Sequence, residues 1–247
     1  RLSSEPFISG DTYRKMANHI FDETIFFQPK DVKKNDVVFV KSDLIEIYFE
    51  ICHPKIINNY ILITHNSDRN ITEREISFSD ETITHWFAQN LSVKSNDRIS
   101  PLPIGFENRR YFNHGKIKNL KYFSNLKSEK KNKILSSFTP STNYFLRTEA
   151  LNSTKDIKEV DVEKYDTPLD YLSNSKNYKF VICPPGNGLD THRLWQGMLT
   201  KTVPILKSDN FSKNFYEMGM PILLIKDWSE LKKFDKEMIE ETYNNFK

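Results

Sequence analysis

The 247-residue chain balances 36 Lys and Arg against 33 Asp and Glu, a formal charge of +3, and shows no nucleic-acid recognition motif, so a nucleic-acid partner is not expected. A hydrophobic content of 38% with 13% aromatic residues excludes a disordered chain, and the length allows one large domain or two of ordinary size. The two cysteines, Cys52 and Cys183, lie far apart in apolar stretches, which argues against a disulfide framework or a thiolate metal site.

No run of about 20 apolar residues occurs. Buried thiols in a reducing compartment and no secretory apolar start set the expectation of a cytoplasmic location. The sequence does not open on Met, which leaves room for a preceding anchor. The sequons at Asn70, Asn90, Asn152 and Asn210 are the chance yield of an Asn-, Ser- and Thr-rich chain.

In chain order, "PFIS" precedes Gly10 and Asp11, and a helix is predicted with Met16 and Ile20 on one face. "DVVFV" (36–40) reads as a buried strand. Leu44, Ile47, Tyr48 and Ile51 then fall at the spacing of an amphipathic helix that Pro54 ends. "YILIT" (60–64) is the next buried strand, and "HWFAQN", with Trp86 and Phe87 among polar groups, suits either packing or a sugar-binding surface. "PLPIGF" (101–106) is extended and punctuated by prolines.

The stretch 116–133 is rich in Lys and Asn and reads as a solvated connector. Its alternative is a peripheral contact with an anionic surface at the inner face of a membrane. Beyond it, "KILSSF" (133–138) is a strand candidate, and "TPLDYL" (167–172) offers an N-cap Thr with Pro at the first helical position. "YKFVIC" (178–183) is a buried strand, 191–200 a helix, "TVPIL" (202–206) and "ILLI" (222–225) strands. Ser229 would cap a last helix with Leu231, Phe234 and Met238 on its apolar face. Continuous apolar strands alternating with helices predict the α/β class, with parallel sheets covered on both faces.

The densest polar chemistry is "CPPGNGLDTHRLW" (183–195), a strand, a glycine-bearing turn and a helix start. The first turn of a helix presents unpaired N–H groups and partial positive charge, so it favours an anion. Gly186 and Gly188 would permit close approach and positive φ, and Arg193 suits a diphosphate. The spacing is neither GxGxxG nor a P-loop. On these grounds the stretch stays open between a phosphate cradle and a structural turn. Leu194, Trp195, Met198 and Leu199 fall at helical spacing and are expected to pack on the sheet.

"YKFVICPPGNGLDTHRLWQGMLTKTVPIL" resembles the nucleotide-sugar-binding region of exostosin-like and related GT-B glycosyltransferases. "SFTPSTNYFLR" and "PILLIKDWSEL" are similar to flanking segments of that group; "ILITHNSD" and "HWFAQN" resemble its acceptor-side domain less specifically. The resemblance implies a GT-B-like architecture of two Rossmann-like domains with a cleft between them. We place them at 1–125, acceptor-side, and 126–247, donor-side, the last helix packing back toward the N-terminal domain.

It further implies a nucleotide-sugar donor as substrate, no cofactor and no metal, and a glycan or lipid-linked acceptor. Gly186, Asn187 and Gly188 would line the donor, Arg193 would meet the diphosphate, and Asn143 and Arg147 would approach from the neighbouring unit. Asp190 and His192 would orient Arg193 or touch the nucleotide. Where the related pattern carries Glu for the ribose, this chain has Gln196, an uncharged partner. Transfer with inversion needs a base for the acceptor proton, and the candidates are Asp11, Asp43, His65 and Asp68, in turns after first-half strands. The competing reading is a catalytically silent sugar-nucleotide or glycan-binding module.

Overall fold

A computed structural model describes residues 1–111 and 115–246. The chain divides into two units, Arg1–Arg110 with Gly188–Asp190, and Tyr111–Asn187 with Thr191–Lys247. Residues 115–125, assigned from sequence to the first domain, fall in the second unit, and Leu120 and Phe123 among them are buried.

The first unit runs α1 (Gly10–Met16), β1 (His19–Phe21), β2 (Val37–Lys41), α2 (Ile45–Ile47), β3 (Tyr60–His65), α3 (Glu73–Ile76), β4 (Ile83–Ala88) and β5 (Ile99–Pro101). All neighbours are parallel and the order is β1-β2-β3-β4-β5. Val38, Phe39, Val40 and Leu62 are fully buried, as continuous apolar strands require.

Two expectations are corrected in this unit, and one reading left open, that of Trp86, is decided. Ile20 lies in β1 rather than on a helix face with Met16. Asn18 exchanges bonds with Val37 through its backbone N–H and side-chain Oδ1, which draws the chain into the sheet. In the stretch after β2, a π-helical turn at Tyr48–Cys52 follows α2. It turns Ile45, Tyr48, Phe49 and Cys52 inward and leaves Ile47 and Ile51 exposed, so the buried face differs from the one read at a 3.6 period. Trp86 is core: it is 2% exposed on β4, and its Nε1 donates to Thr64 Oγ1 at 2.9 Å.

The second unit contains α4 (Ile117–Asn125), β6 (Lys131–Ser136), α5 (Tyr144–Thr154), β7 (Val160–Val162), α6 (Pro168–Ser175) and β8 (Tyr178–Ile182). It continues through α7 (His192–Leu199), β9 (Val203–Lys207), α8 (Asn210–Glu217), β10 (Leu223–Ile225) and α9 (Lys236–Asn244). Its sheet is again parallel throughout, in the order β10-β9-β8-β6-β7. The architecture is thus α/β and GT-B-like in kind: two Rossmann-like units, each built on a five-stranded parallel sheet.

Helices of the second unit are placed by caps and by one half-buried lysine amine. Thr167 accepts from Asp170 N with Pro168 in the first turn, as its sequence predicts. Lys130 Nζ donates to the carbonyls of Lys176, Tyr178 and Thr200 and to Thr202 Oγ1 at 2.8–3.1 Å. It thereby gathers the C-terminal ends of α6 and α7 onto the amino edge of β8. Gly197 brings α7 close to the sheet, since a Cβ there would lie 2.9 Å from Thr202 O and 3.1 Å from Val181 Cγ1.

The chain end is also corrected. Asp227 caps a 3-10 helix over Trp228–Lys233, Phe234 is extended, and Asp235 rather than Ser229 caps α9. α9 packs on β6 and β8 of its own unit, with Ile239 and Tyr243 in that core. Among the described residues no helix is long and apolar enough to cross a membrane, and no group of His, Cys, Asp and Glu is arranged to hold a metal ion.

Candidate functional site

The order of the second sheet has one reversal. The chain leaves β6 for β7 on one side, then returns to place β8 on the other side of β6. Loops leaving the carboxyl ends of β6 and β8 therefore diverge, the arrangement that opens a ligand crevice in doubly wound sheets. The first sheet runs in sequential order and has no such reversal, so that argument does not extend to the turns holding the candidate bases.

At this reversal lies a cavity of about 700 Å³. Its walls come from Ser136 and Phe138 at the end of β6, the 162–168 loop after β7, Tyr171 of α6, and Arg193 and Gln196 of α7. α7 starts at Thr191, whose side chain makes no capping bond. Arg193 Cζ stands 5.2 Å from the centre of the Tyr171 ring, a cation over an aromatic face. Three buried polar atoms of residues on this wall, Ser136 Oγ, Tyr171 Oη and Arg193 Nε, have no hydrogen-bond partner among the described residues. Such atoms are costly in a native interior unless a ligand or water completes them.

Arg147 lies behind the turn and is 5% exposed. Its Nε donates to Pro185 O at 2.9 Å and its Nη1 to Thr139 O at 3.0 Å, so it joins the loops after β6 and β8. Burial, and then the like charge of Arg193, bring its pKa down to about 10, which keeps it cationic at neutral pH. Neither Arg147 nor Arg193 has an ion pair among the described residues. The two guanidinium groups repel each other, and the cavity wall also carries Lys164 and the carboxylates of Glu163 and Asp166.

The turn itself differs in detail from the sequence reading. Neither Gly186 nor Gly188 adopts positive φ. A Cβ on Gly186 would lie 2.9 Å from Arg147 Nη2, and one on Gly188 would lie 2.7 Å from Asn90 Nδ2, so the glycines admit protein side chains. Asn143 Nδ2 donates to Gly186 O at 2.9 Å while its Oδ1 caps α5 at Leu146 N. Asn187 is exposed. Asp190 belongs to the first unit, where it accepts from Ile104 N at 2.7 Å and donates its own N–H to Asn90 Oδ1 at 2.8 Å. His192 opens α7 and is half-buried.

Of the expected donor residues, the structure brings Arg193 and Gln196 to the cavity and gives Asn143 and Arg147 to the turn behind it. Ser136 and Tyr171 were missed. "KILSSF" reads as a strand and Tyr171 falls within the helix start "TPLDYL", and only the reversal of strand order brings them together.

The four candidate bases lie in the first unit and differ sharply. Asp43 is exposed, bonded by Ser67 Oγ and 3.2 Å from Lys41 Nζ, and Asp68 is exposed in its turn. His65 has both ring nitrogens engaged: Nε2 with Pro103 O at 3.0 Å, and Nδ1 as acceptor from Asn66 N at 2.7 Å. Asp11 is 1% exposed; Oδ1 accepts from Asn66 Nδ2 at 3.4 Å and lies 3.6 Å from Arg1 Nη1, while Oδ2 has no partner. It alone of the four combines burial with a carboxylate oxygen that has no hydrogen-bond partner among the described residues.

No family model and no curated protein sequence matches the chain. Among solved structures, a UDP-GlcNAc 2-epimerase of Methanocaldococcus jannaschii in complex with UDP-GlcNAc and UDP is similar at a TM-score of 0.38 and 13% identity. That likeness covers 85% of this chain and 68% of the epimerase chain.

Proposed function

We propose that the protein is a glycosyltransferase that draws its sugar from a nucleoside-diphosphate sugar held in the cavity of the second unit. One observation supports this reading above the others: three residues that line a cavity at a strand-order reversal, Ser136, Tyr171 and Arg193, each carry a buried polar atom without a hydrogen-bond partner among the described residues. Arg193 and the uncapped start of α7 neutralise the diphosphate as the bond from the anomeric carbon to its oxygen breaks. Gln196 hydrogen-bonds the ribose without charge.

In an inverting transfer the acceptor oxygen bonds the anomeric carbon while its proton passes to a base. We assign that role to Asp11, because its Oδ2 is buried and unpartnered. The acceptor is a glycan or lipid-linked saccharide, and the process it serves is polysaccharide or glycoconjugate synthesis. In a panel of nucleotide sugars with such acceptors, wild type should release nucleoside diphosphate and form product. Asp11→Asn should lower turnover about a hundredfold or more while donor affinity stays unchanged. Equal turnover in the two proteins would remove Asp11 from this role.

The presence of Gln196 on the cavity wall, where the resemblance calls for Glu, favours a second reading: a module that binds sugar nucleotides without turning them over. Donor binding with no turnover, indifferent to substitution of Asp11, Asp43, His65 or Asp68, would establish that alternative.

A further inference from the structure

Ser136 closes β6 and Tyr171 sits mid-way along α6; neither belongs to the glycine turn or to the helix that carries Arg193. Both side chains are more than nine-tenths buried, at 1% and 6% exposure; both residues line the cavity, and the buried hydroxyl of each has no hydrogen-bond partner among the described residues. Phenylalanine and alanine would pack in these places without leaving an orphan, so the hydroxyls are a cost to the unliganded fold. The guanidinium above the Tyr171 ring leaves its own Nε unpartnered on the same wall.

We propose that Ser136 Oγ–H, Tyr171 Oη–H and Arg193 Nε–H form a three-donor cradle for a phosphate group, reading its oxygens from the β6 and α6 side of the cavity. This deepens the nucleotide-sugar reading and rests on it for the identity of the natural ligand. The chemistry suits an oxyanion: two neutral donors and one cationic donor, with no carboxylate among the three, match the lone pairs of a phosphate. Burial raises the phenol pKa of Tyr171 and outweighs the lowering pull of the Arg193 guanidinium beside it, which keeps the proton in place for donation. The role is binding and orientation of the leaving group. The phenol remains protonated, and no proton is transferred.

The test uses the full chain and two probes, UDP and inorganic pyrophosphate, with uridine as the phosphate-free control, measured by calorimetry for wild type, Tyr171→Phe and Ser136→Ala. Each variant should weaken binding of both phosphate probes about tenfold or more, the loss of a hydrogen bond to a charged group, and leave uridine affinity unchanged. Because the removed hydroxyl is unpaired without ligand, the unliganded Tm of each variant should equal or exceed that of wild type. A merely structural hydroxyl would instead lower the unliganded Tm. Phosphate-probe affinity equal to wild type in both variants, or a lowered unliganded Tm, overturns the cradle. If wild type binds pyrophosphate but neither UDP nor other nucleoside diphosphates, the nucleotide reading fails and the cradle stands. If wild type binds neither pyrophosphate nor any nucleoside diphosphate, the cradle itself fails.

Discussion

Arg147 and Arg193 are near neighbours in field but differ in task. Arg193 keeps an open donor on the cavity wall, while Arg147 uses Nε and Nη1 on the carbonyls of Pro185 and Thr139. Arg147→Met should therefore act first on stability: two carbonyls lose a charged donor, offset in part by relief of a buried charge, for a net cost of about 2 kcal/mol. A lowered denaturant midpoint at unchanged slope would show it, and an unaltered midpoint would contradict the assignment. Arg193 was legible because it opens a helix after a glycine turn, a local pattern. Tyr171 and Ser136 were not, since a hydroxyl at an apolar position looks the same in sequence whether or not it has a partner. Gly186 was legible as a site of close approach, but what approaches it, Arg147, comes from a helix some 40 residues earlier in the chain.

Elements whose ends are fixed by local side chains were the readable ones. Thr167 with Pro168 gave the start of α6, and the apolar runs gave β2, β3, β8 and β9. The stretch after β2 misled because a single π-helical turn changes which residues face inward, and no short-range signal marks such a turn. α3 is held by a capping box at Thr72 and Glu75, and it supplies a pH test. Burial would raise the Glu75 pKa, but the Thr72 hydroxyl, Arg69 and the Thr72 amide outweigh it and bring the value down to about 2. A carboxylate depressed on folding contributes stability above its unfolded pKa of about 4.3, and that contribution disappears as pH falls toward the folded value. Glu75→Gln should accordingly be less stable than wild type at pH 7. The gap should narrow from about pH 4.5 downward and close near the folded pKa, as followed by denaturant titration at each pH. A gap independent of pH would show that packing, not ionisation, is what the side chain contributes.

For the molecule as a whole, the α/β class followed from apolar runs alternating with helices, whereas strand order did not. Runs of Val, Ile and Leu specify burial on two faces but leave open which strand lies beside which. That order decides where ligands go. It gives the second sheet a reversal between β6 and β8 and gives the first sheet none, so the cavity with Ser136, Tyr171, Arg193 and Gln196 belongs to the second unit. Leu120 and Phe123 are buried in residues that fall in the second unit, although their Lys-rich surroundings read in sequence as a solvated connector. The central proposal is that this cavity binds the diphosphate of a sugar nucleotide for transfer. The most direct test is release of nucleoside diphosphate from a panel of nucleotide sugars, with saccharide acceptors present, by wild type and Arg193→Ala. The account predicts acceptor-dependent release by wild type from at least one donor, and a loss of kcat/KM on the order of a hundredfold in the folded variant. No release from any donor by wild type, or equal release by the two proteins, would contradict it.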